Sequence, residues 1–285
     1  MKYILAFIFV VAIALGGAFL YFYSQVRFDA YTIIDYKPKL ATQIFDRNNE
    51  LIANIFEENR IYVKYNDIPP RVIEALVAIE DTSYFEHGGI NVEAMARAAI
   101  KDIKARKLVE GASTLTQQLI KNLALSREKK FTRKIKEVVL AMKLESELSK
   151  EDIIERYLNH VYFGHGYYGI KTAAEGYFRK ELNELSIKEI AMLVGMPKAP
   201  STYDPTKHLD LSLSRANRVL ERMYSIGWIN EDEYRKGVLE EPAVFDDTLT
   251  RNKAPYVVDE IIKEASKKFD DIKTGGYKIQ NTGDL

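Results

Sequence analysis

Glu80, Asp81, Glu86 and His87 fall within eight positions of "AIEDTSYFEHGGIN" (Ala78 to Asn91), just where an apolar helical pattern stops. Carboxylates at a helix end suit acid–base work, because partial burial and a like-charged neighbour both raise a carboxyl pKa toward neutrality. A second cluster lies in "GASTLTQQLIKN" (111–122), where small and hydroxyl residues run into a helix. Its unpaired backbone N–H groups form an anion site by construction. Lys121, Arg127, Lys129, Lys130, Arg133, Lys134 and Lys136 follow, with Glu128 as their acidic companion. That much local positive charge suits a diphosphate or an anionic membrane surface. Glu137 stands four residues after Arg133 and three after Lys134; alone this reads as an intrahelical ion pair, worth only about 0.2–0.5 kcal/mol. In "IERYLNHVYFGHGYYGIKTAAEGYFRK" (154–180), Gly164, Gly166 and Gly169 form an aromatic-rich loop between helices. A helix precedes that loop where a phosphate-binding GxGxxG turn needs a strand, so a dinucleotide site is rejected. His160 and His165 lack a third ligand at metal spacing.

The elements that must position these groups are mostly helical. Pro69 and Pro70 suit a first turn, and Val72, Ile73, Leu76, Val77 and Ile79 line a buried face that ends at Glu80. Asn91 is the N-cap of a helix carrying Val92, Met95, Ala99, Ile100 and Ile103. Capping boxes at Thr114 with Gln117 and Ser186 with Glu189, and the similar Ser149 with Asp152, start further helices. In "FTRKIKEVVLAMKLE", Lys134, Glu137 and Ala141 share one stripe, while Ile135, Val138, Val139 and Met142 form the core face. At least seven helices are expected between Pro69 and about Glu240. Before them, Thr42 to Tyr65 reads as strand, turn, strand around Arg47-Asn48-Asn49-Glu50, and the tail "TGGYKIQNTGDL" returns to a β-like pattern.

Ile4 to Tyr23 runs twenty residues without a charge and ends in aromatics, the pattern of a transmembrane signal anchor. Lys2 before it and Arg27, Lys37 and Lys39 after it do not set its orientation. The remainder, with 47% hydrophobic residues, can bury a substantial core. Forty-one basic and forty-one acidic residues cancel, so nothing global suggests a nucleic-acid partner, and the absence of cysteine excludes disulfides, thiolate metal sites and thiol nucleophiles.

Five segments in order, "EDTSYFEH", "GASTLTQQLIKN", "RKIKE", "IIERYLN" with "FGHGYYGIKTAAEGYF", and "AMLVGMPKAPSTYDP", resemble the motifs of the peptidoglycan glycosyltransferase domain of class A penicillin-binding proteins. The resemblance covers about Thr42 to the carboxy terminus, with Asn91 where Asp is usual and Arg179 where Gly is usual. It implies a mainly α, lysozyme-like two-lobed fold with an N-terminal transmembrane helix and short β segments at both ends. The expected divisions are 1–27 (cytoplasmic tip and anchor), 28–68 (linker with strands), 69–245 (glycosyltransferase domain) and 246–285 (the start of a linker to a missing C-terminal transpeptidase domain). It implies a location on the outer, periplasmic face of the bacterial cytoplasmic membrane, single-pass.

The implied reaction polymerises lipid II into β-1,4-linked glycan with inversion, releasing undecaprenyl diphosphate; the partners are lipid II, the growing lipid-linked glycan and the membrane. By resemblance Glu80 is the general base and Glu137 the second catalytic carboxylate. Asp81, Ser113, Gln118, Lys121, Arg133, Lys134 and Asn159 bind substrate. No cofactor is required by the sequence, while the resemblance permits Mg2+ or Mn2+ at the donor diphosphate without a dedicated carboxylate cage. Leu119, Leu123, Leu125 and Phe131, flanked by lysines, are expected to touch the membrane. "SREK" (126–129) and "KTG" (273–275) mimic transpeptidase boxes but lack a Ser-x-Asn between them. A lytic enzyme or glycosidase on the same fold is the alternative; it has no diphosphate to hold, and so no use for the basic patch. A silent scaffold has no reason to keep all five motifs.

Overall fold

The computed structural model describes residues 33–105, 111–123, 130–246 and 254–281, with isolated positions near the amino terminus. Most of the expected anchor, Ile4 to Tyr23, lies outside the described residues, as do Ser126 and Lys129 of "SREK". Among the described residues no helix is long and apolar enough to cross a membrane.

The chain forms two compact units. One comprises residues 1–36 and 83–153, the other 37–82 and 154–285. In the second unit, β1 (Thr42–Phe45) pairs antiparallel with β2 (Leu51–Ile55) through the expected turn. Asp46 Oδ1 accepts the Asn48 and Glu50 amides there, and Asn49 takes a left-handed φ of 67°. A later strand, β5 (Lys278–Gln280), joins β1 in parallel, giving the order β2-β1-β5. Thus the two stretches expected as separate linkers build one sheet. Ile44, Ile52, Ala53 and Ile55 pack there with Val258 of helix α10 (Pro255–Ser266). Two-residue strands β3 (Asn59–Arg60) and β4 (Tyr167–Tyr168) pair in parallel.

The helical part of this unit contains α1 (Pro70–Glu80), α6 (Ile170–Phe178), α7 (Ile187–Gly195), α8 (Leu209–Ser225) and α9 (Glu231–Leu239). α7 is buried from Lys188 to Gly195 and packs against α1 and α8. Its Ser186–Glu189 capping box forms as expected, and Asn230 with Glu233 caps α9 in the same way. Arg179, in the place where the family carries Gly, caps α6 in the left-handed region (φ 55°) and lays its guanidinium 3.9 Å from the Phe245 ring centroid. That cation–π contact offsets part of the cost of a side chain in this conformation.

The first unit holds α2 (Val92–Ala105), α3 (Leu115–Leu123) and α4 (Lys130–Glu147), and α5 (Lys150–His160) begins in it and ends in the second. Asn91 caps α2 by accepting the Ala94 amide, which Asp would do equally, so that departure from the family is physically neutral. Two expectations change here. On α2 only Ala98 is buried, and Val92, Met95, Ile100 and Ile103 are exposed, Ile103 by 76%. On α4 the buried residues include Glu137, Val139, Leu140, Ala141 and Leu144, so Glu137 lies on the packed side of the helix.

Candidate active site

The expected site residues divide between the units: Glu80, Asp81 and Asn159 belong to one, and Ser113, Gln118, Lys121, Arg133, Lys134 and Glu137 to the other. Each group is a constellation by itself.

Glu80 is the last residue of α1, and its side chain is 14% exposed. Arg215 Nη2, from α8, lies 3.3 Å from Glu80 Oε1 and donates to it, while Arg215 Nε donates to the Gly195 carbonyl. Arg222, two turns along α8, reaches the same helix end, with Nε toward the Ala78 carbonyl and Nη2 to the Thr82 hydroxyl at 2.8 Å. Cations at a helix C-terminus complement its partial negative charge, so α8 holds the α1 terminus in place. Tyr157 of α5 is fully buried nearby; burial pushes its phenol well above the ordinary range, and the Glu80 charge pushes it further. Asp81 is buried and caps α1 through its amide to the Val77 carbonyl.

Sequence reasoning missed Arg215 and Arg222. Their signal was present: both fall on the stripe of α8 that otherwise carries Ser212, Ala216, Val219, Leu220 and Met223, all buried. Arg215 is buried there and Arg222 is exposed at the same stripe's far end, and a cation on a buried face needs a partner.

Asn159, expected to contact substrate, is buried and hydrogen-bonded within the chain. Its amide nitrogen donates to the Val63 and Glu155 carbonyls, and Oδ1 accepts the Val63 amide. Both donors are therefore engaged in pinning the chain after β3 to α5.

In the other unit, Glu137 is 6% exposed at its side chain and faces two cations. Lys134 Nζ stands 3.1 Å from Oε2 and 3.0 Å from the Ser113 hydroxyl. Arg133 Nε lies 3.4 Å from Oε1, buried and without a hydrogen-bond partner among the described residues. The i,i+3 and i,i+4 pairs anticipated from the sequence do form. Burial and the third member, Ser113, distinguish them from surface pairs, because a buried charge must be compensated. The capping box at Thr114 uses the Thr114 amide, held by Gln117 Oε1, and the Gln117 amide, held by the Thr114 hydroxyl. The anion-binding potential of this helix start is correspondingly narrower than its composition suggests, leaving the Ser113 hydroxyl with Lys134. Gln117 is buried, Gln118 is half-buried, and Lys121 is exposed with no ion pair among the described residues.

One carboxylate already faced by two cations does not fit a divalent ion held by the protein. Among the described residues no three His, Asp or Glu gather as a metal cage.

Residues 48–224, more than half of the chain, match the family described as Transglycosylase. The chain belongs to the transglycosylase family. Its relatives carry the same domain within longer proteins. Penicillin-binding protein 1F of Bacillus subtilis is 39% identical over 269 residues, 90% of this chain and 37% of that protein. Penicillin-binding protein 1A of Aquifex aeolicus is 40% identical over 249 residues, 87% and 34% of the two chains. That of Escherichia coli is 36% identical over 268 residues, 93% and 31%. The chain thus spans about a third of the length of these curated relatives. A crystal structure of penicillin-binding protein 1A from Haemophilus influenzae is similar at 27% identity with a TM-score of 0.48, covering 86% of this chain and 27% of that one. The transglycosylase assignment rests on the family match and the relatives.

Proposed function

We propose that this transglycosylase polymerises lipid II into glycan strands, joining the 4-hydroxyl of an acceptor sugar to the anomeric carbon of a lipid-diphosphate donor with inversion. The acceptor oxygen forms the new C–O bond and gives its proton to Glu80; the bond from the anomeric carbon to the diphosphate breaks, and undecaprenyl diphosphate leaves with the electron pair. The cluster of Arg133, Lys134, Ser113 and Glu137 carries this reading. A hydrolase of ordinary glycosides has no use for two cations around a buried carboxylate, whereas a leaving diphosphate needs donors aimed at its developing charge. Arg133, whose buried Nε makes no hydrogen bond among the described residues, and Lys134 supply them, and Glu137 orients both by ion pairing. Lys121 and Gln118, on the adjoining helix, are assigned to the same donor. Asp81 is assigned to support of Glu80.

The reading extends to location. An amino-terminal anchor, in the orientation that the family resemblance implies, would place the domain on the outer face of the bacterial cytoplasmic membrane, where lipid II presents its headgroup. The exposed Val92, Met95, Ile100 and Ile103 of α2 suit an interfacial contact with that membrane. Of the residues expected to do this, Leu119 is buried in the core and Leu123 is half-buried, while the side chains of Leu125 and Phe131 lie outside the described residues.

Incubation of the chain with lipid II and sizing of the product tests the function. Long glycan strands with release of undecaprenyl diphosphate are expected. Shortened glycan from preformed peptidoglycan, with lipid II untouched, would place the enzyme among the lytic activities.

A further inference from the structure

A second ion pair, with the Glu145 side chain 5% exposed and that of Lys150 19%, lies in the same unit as the donor-holding cluster and takes no part in the chemistry above. Lys150, the first residue of α5, places Nζ 2.6 Å from Glu145 Oε2, 2.7 Å from the His87 carbonyl oxygen and 4.2 Å from the centroid of the Tyr84 ring. These three partners account for the three N–H bonds of the ammonium group. Tyr84, fully buried, returns the contact by donating its hydroxyl to the Lys150 carbonyl at 3.0 Å. The other oxygen of Glu145 accepts the hydroxyl of Thr116, which is completely buried in the first turn of α3. One lysine therefore connects the 83–90 loop, the end of α4 and the start of α3.

The loop and the helix start also grip each other directly. Thr114 Oγ1 donates to the Gly89 carbonyl at 2.7 Å. Gly89 has φ +90°, and a Cβ there would stand 2.5 Å from the Ala141 carbonyl oxygen of α4. Ser113 precedes Thr114, and its hydroxyl meets Lys134. A shift of the loop would move Thr114 with it, and Ser113 with Thr114.

We propose that Lys150 is a positioning residue for the donor-holding cluster: through Glu145 and Thr116 it seats the start of α3, and through His87 and Tyr84 it seats the loop that this helix start grips. The inference rests on the reading of Ser113 and Lys134 as diphosphate-holding groups. A buried ion pair is a weak source of stability, since apolar residues of similar volume fill such a space at no greater cost. Apolar side chains, however, cannot fix the directions of a carbonyl, a hydroxyl and an aromatic face at once. The pair serves geometry, and stability and function are expected to separate when it is replaced.

The test compares Lys150→Met, Glu145→Met and the double variant of the full chain, measuring thermal melting, amide hydrogen exchange and the kinetics of lipid II polymerisation. Each single variant strands a partly buried charge and melts lower; the double variant, with neither charge, melts near the wild type. In the double variant, exchange at residues 86–90 and 113–117 quickens, and kcat/KM falls about tenfold, mainly through KM. Thr116→Val keeps the shape and removes one hydrogen bond to Glu145; it shows the same changes at about a third of the size even if the double variant folds poorly. Wild-type exchange and wild-type KM in either of these two variants, once folded, would overturn the positioning role. A wild-type chain that does not polymerise lipid II would instead sink the functional reading, and the exchange measurements would still decide whether Lys150 seats the loop.

Discussion

Glu137 is a buried carboxylate and Glu80 a half-buried one, each beside cations, but their surroundings ask different things of them. Glu80 meets one guanidinium that is also tied to the Gly195 carbonyl, so its direction is set from α8. Glu80→Gln keeps shape and hydrogen bonding and removes the base. Polymerisation should fall at least about 100-fold, equivalent to about 2.7 kcal/mol of barrier, with donor binding largely retained. Near-normal turnover of lipid II by this variant would remove Glu80 from the chemistry. Lys134→Ala is expected to act on binding: the donor KM should rise about tenfold or more, and the defect should deepen with salt, a dependence the Glu80 variant lacks. Equal salt profiles for the two variants would show that Lys134 does not meet the diphosphate. Glu175 on α6 is a different kind of acid. Burial raises its carboxyl to about 7, against the lowering effect of Lys171. Its folded pKa lies above the unfolded one, so the folded state keeps the proton longer, and stability is lost as pH rises from about 4.5 through about 7. Glu175→Gln should match the wild type in urea unfolding near the lower limit and exceed it by about 1–2 kcal/mol at about pH 8, a figure reduced for partial exposure. A gain of equal size at both pH values would point to packing as its cause.

Helix ends carry much of what these residues can do. α1 ends at Glu80 under two arginines from α8, and α3 begins at Thr114 under a capping box and the Gly89 carbonyl. Gly89→Ala tests the second arrangement, because the added methyl group meets backbone of α4 that a side-chain rotation cannot clear. About 2 kcal/mol or more of stability should be lost, from the clash and from the left-handed backbone together. Guanidinium unfolding measures it, and a loss below about 0.5 kcal/mol would mean that the loop is free to move away from α4. Capping was the most legible feature at this scale. The boxes at Thr114 and Ser186 need only residue types three positions apart, so local sequence suffices. The apolar stripe of α2 was read as easily, but periodicity says only that one face is apolar, and Val92, Met95, Ile100 and Ile103 are exposed on theirs.

At the scale of the molecule, that exposed stripe becomes a prediction about membranes. Ile100→Asp together with Ile103→Asp removes the apolar face and adds negative charge without touching a buried residue. In a chain lacking residues 1–27, this pair of changes should abolish sedimentation with anionic liposomes while leaving the melting temperature nearly unchanged. Binding that survives the double substitution would mean that the membrane is met elsewhere. The sheet belongs to this scale too. β5 joins β1 across more than 230 residues of sequence, so residues near both ends of the described chain share one small core with Val258. Such pairing is invisible to local pattern, since a short β-like run does not specify its partner.

The sequence by itself determined the helices, their starts, the ordered motifs and the identity of the charged residues, because periodicity and capping depend on neighbours a few positions apart. It also placed Glu137 within reach of Arg133 and Lys134, a consequence of helical geometry alone. Tertiary structure decided which side of α4 was packed, and so gave an ordinary helical pair a buried carboxylate, Glu137, and a third member, Ser113. It decided that Asn159 braces the chain at Val63, that Leu119 belongs to the core, and that Arg215 partners Glu80 from 135 residues away in sequence. These outcomes depend on which surfaces meet and on the need of every buried polar group for a partner, and neither is written in any short window of the chain.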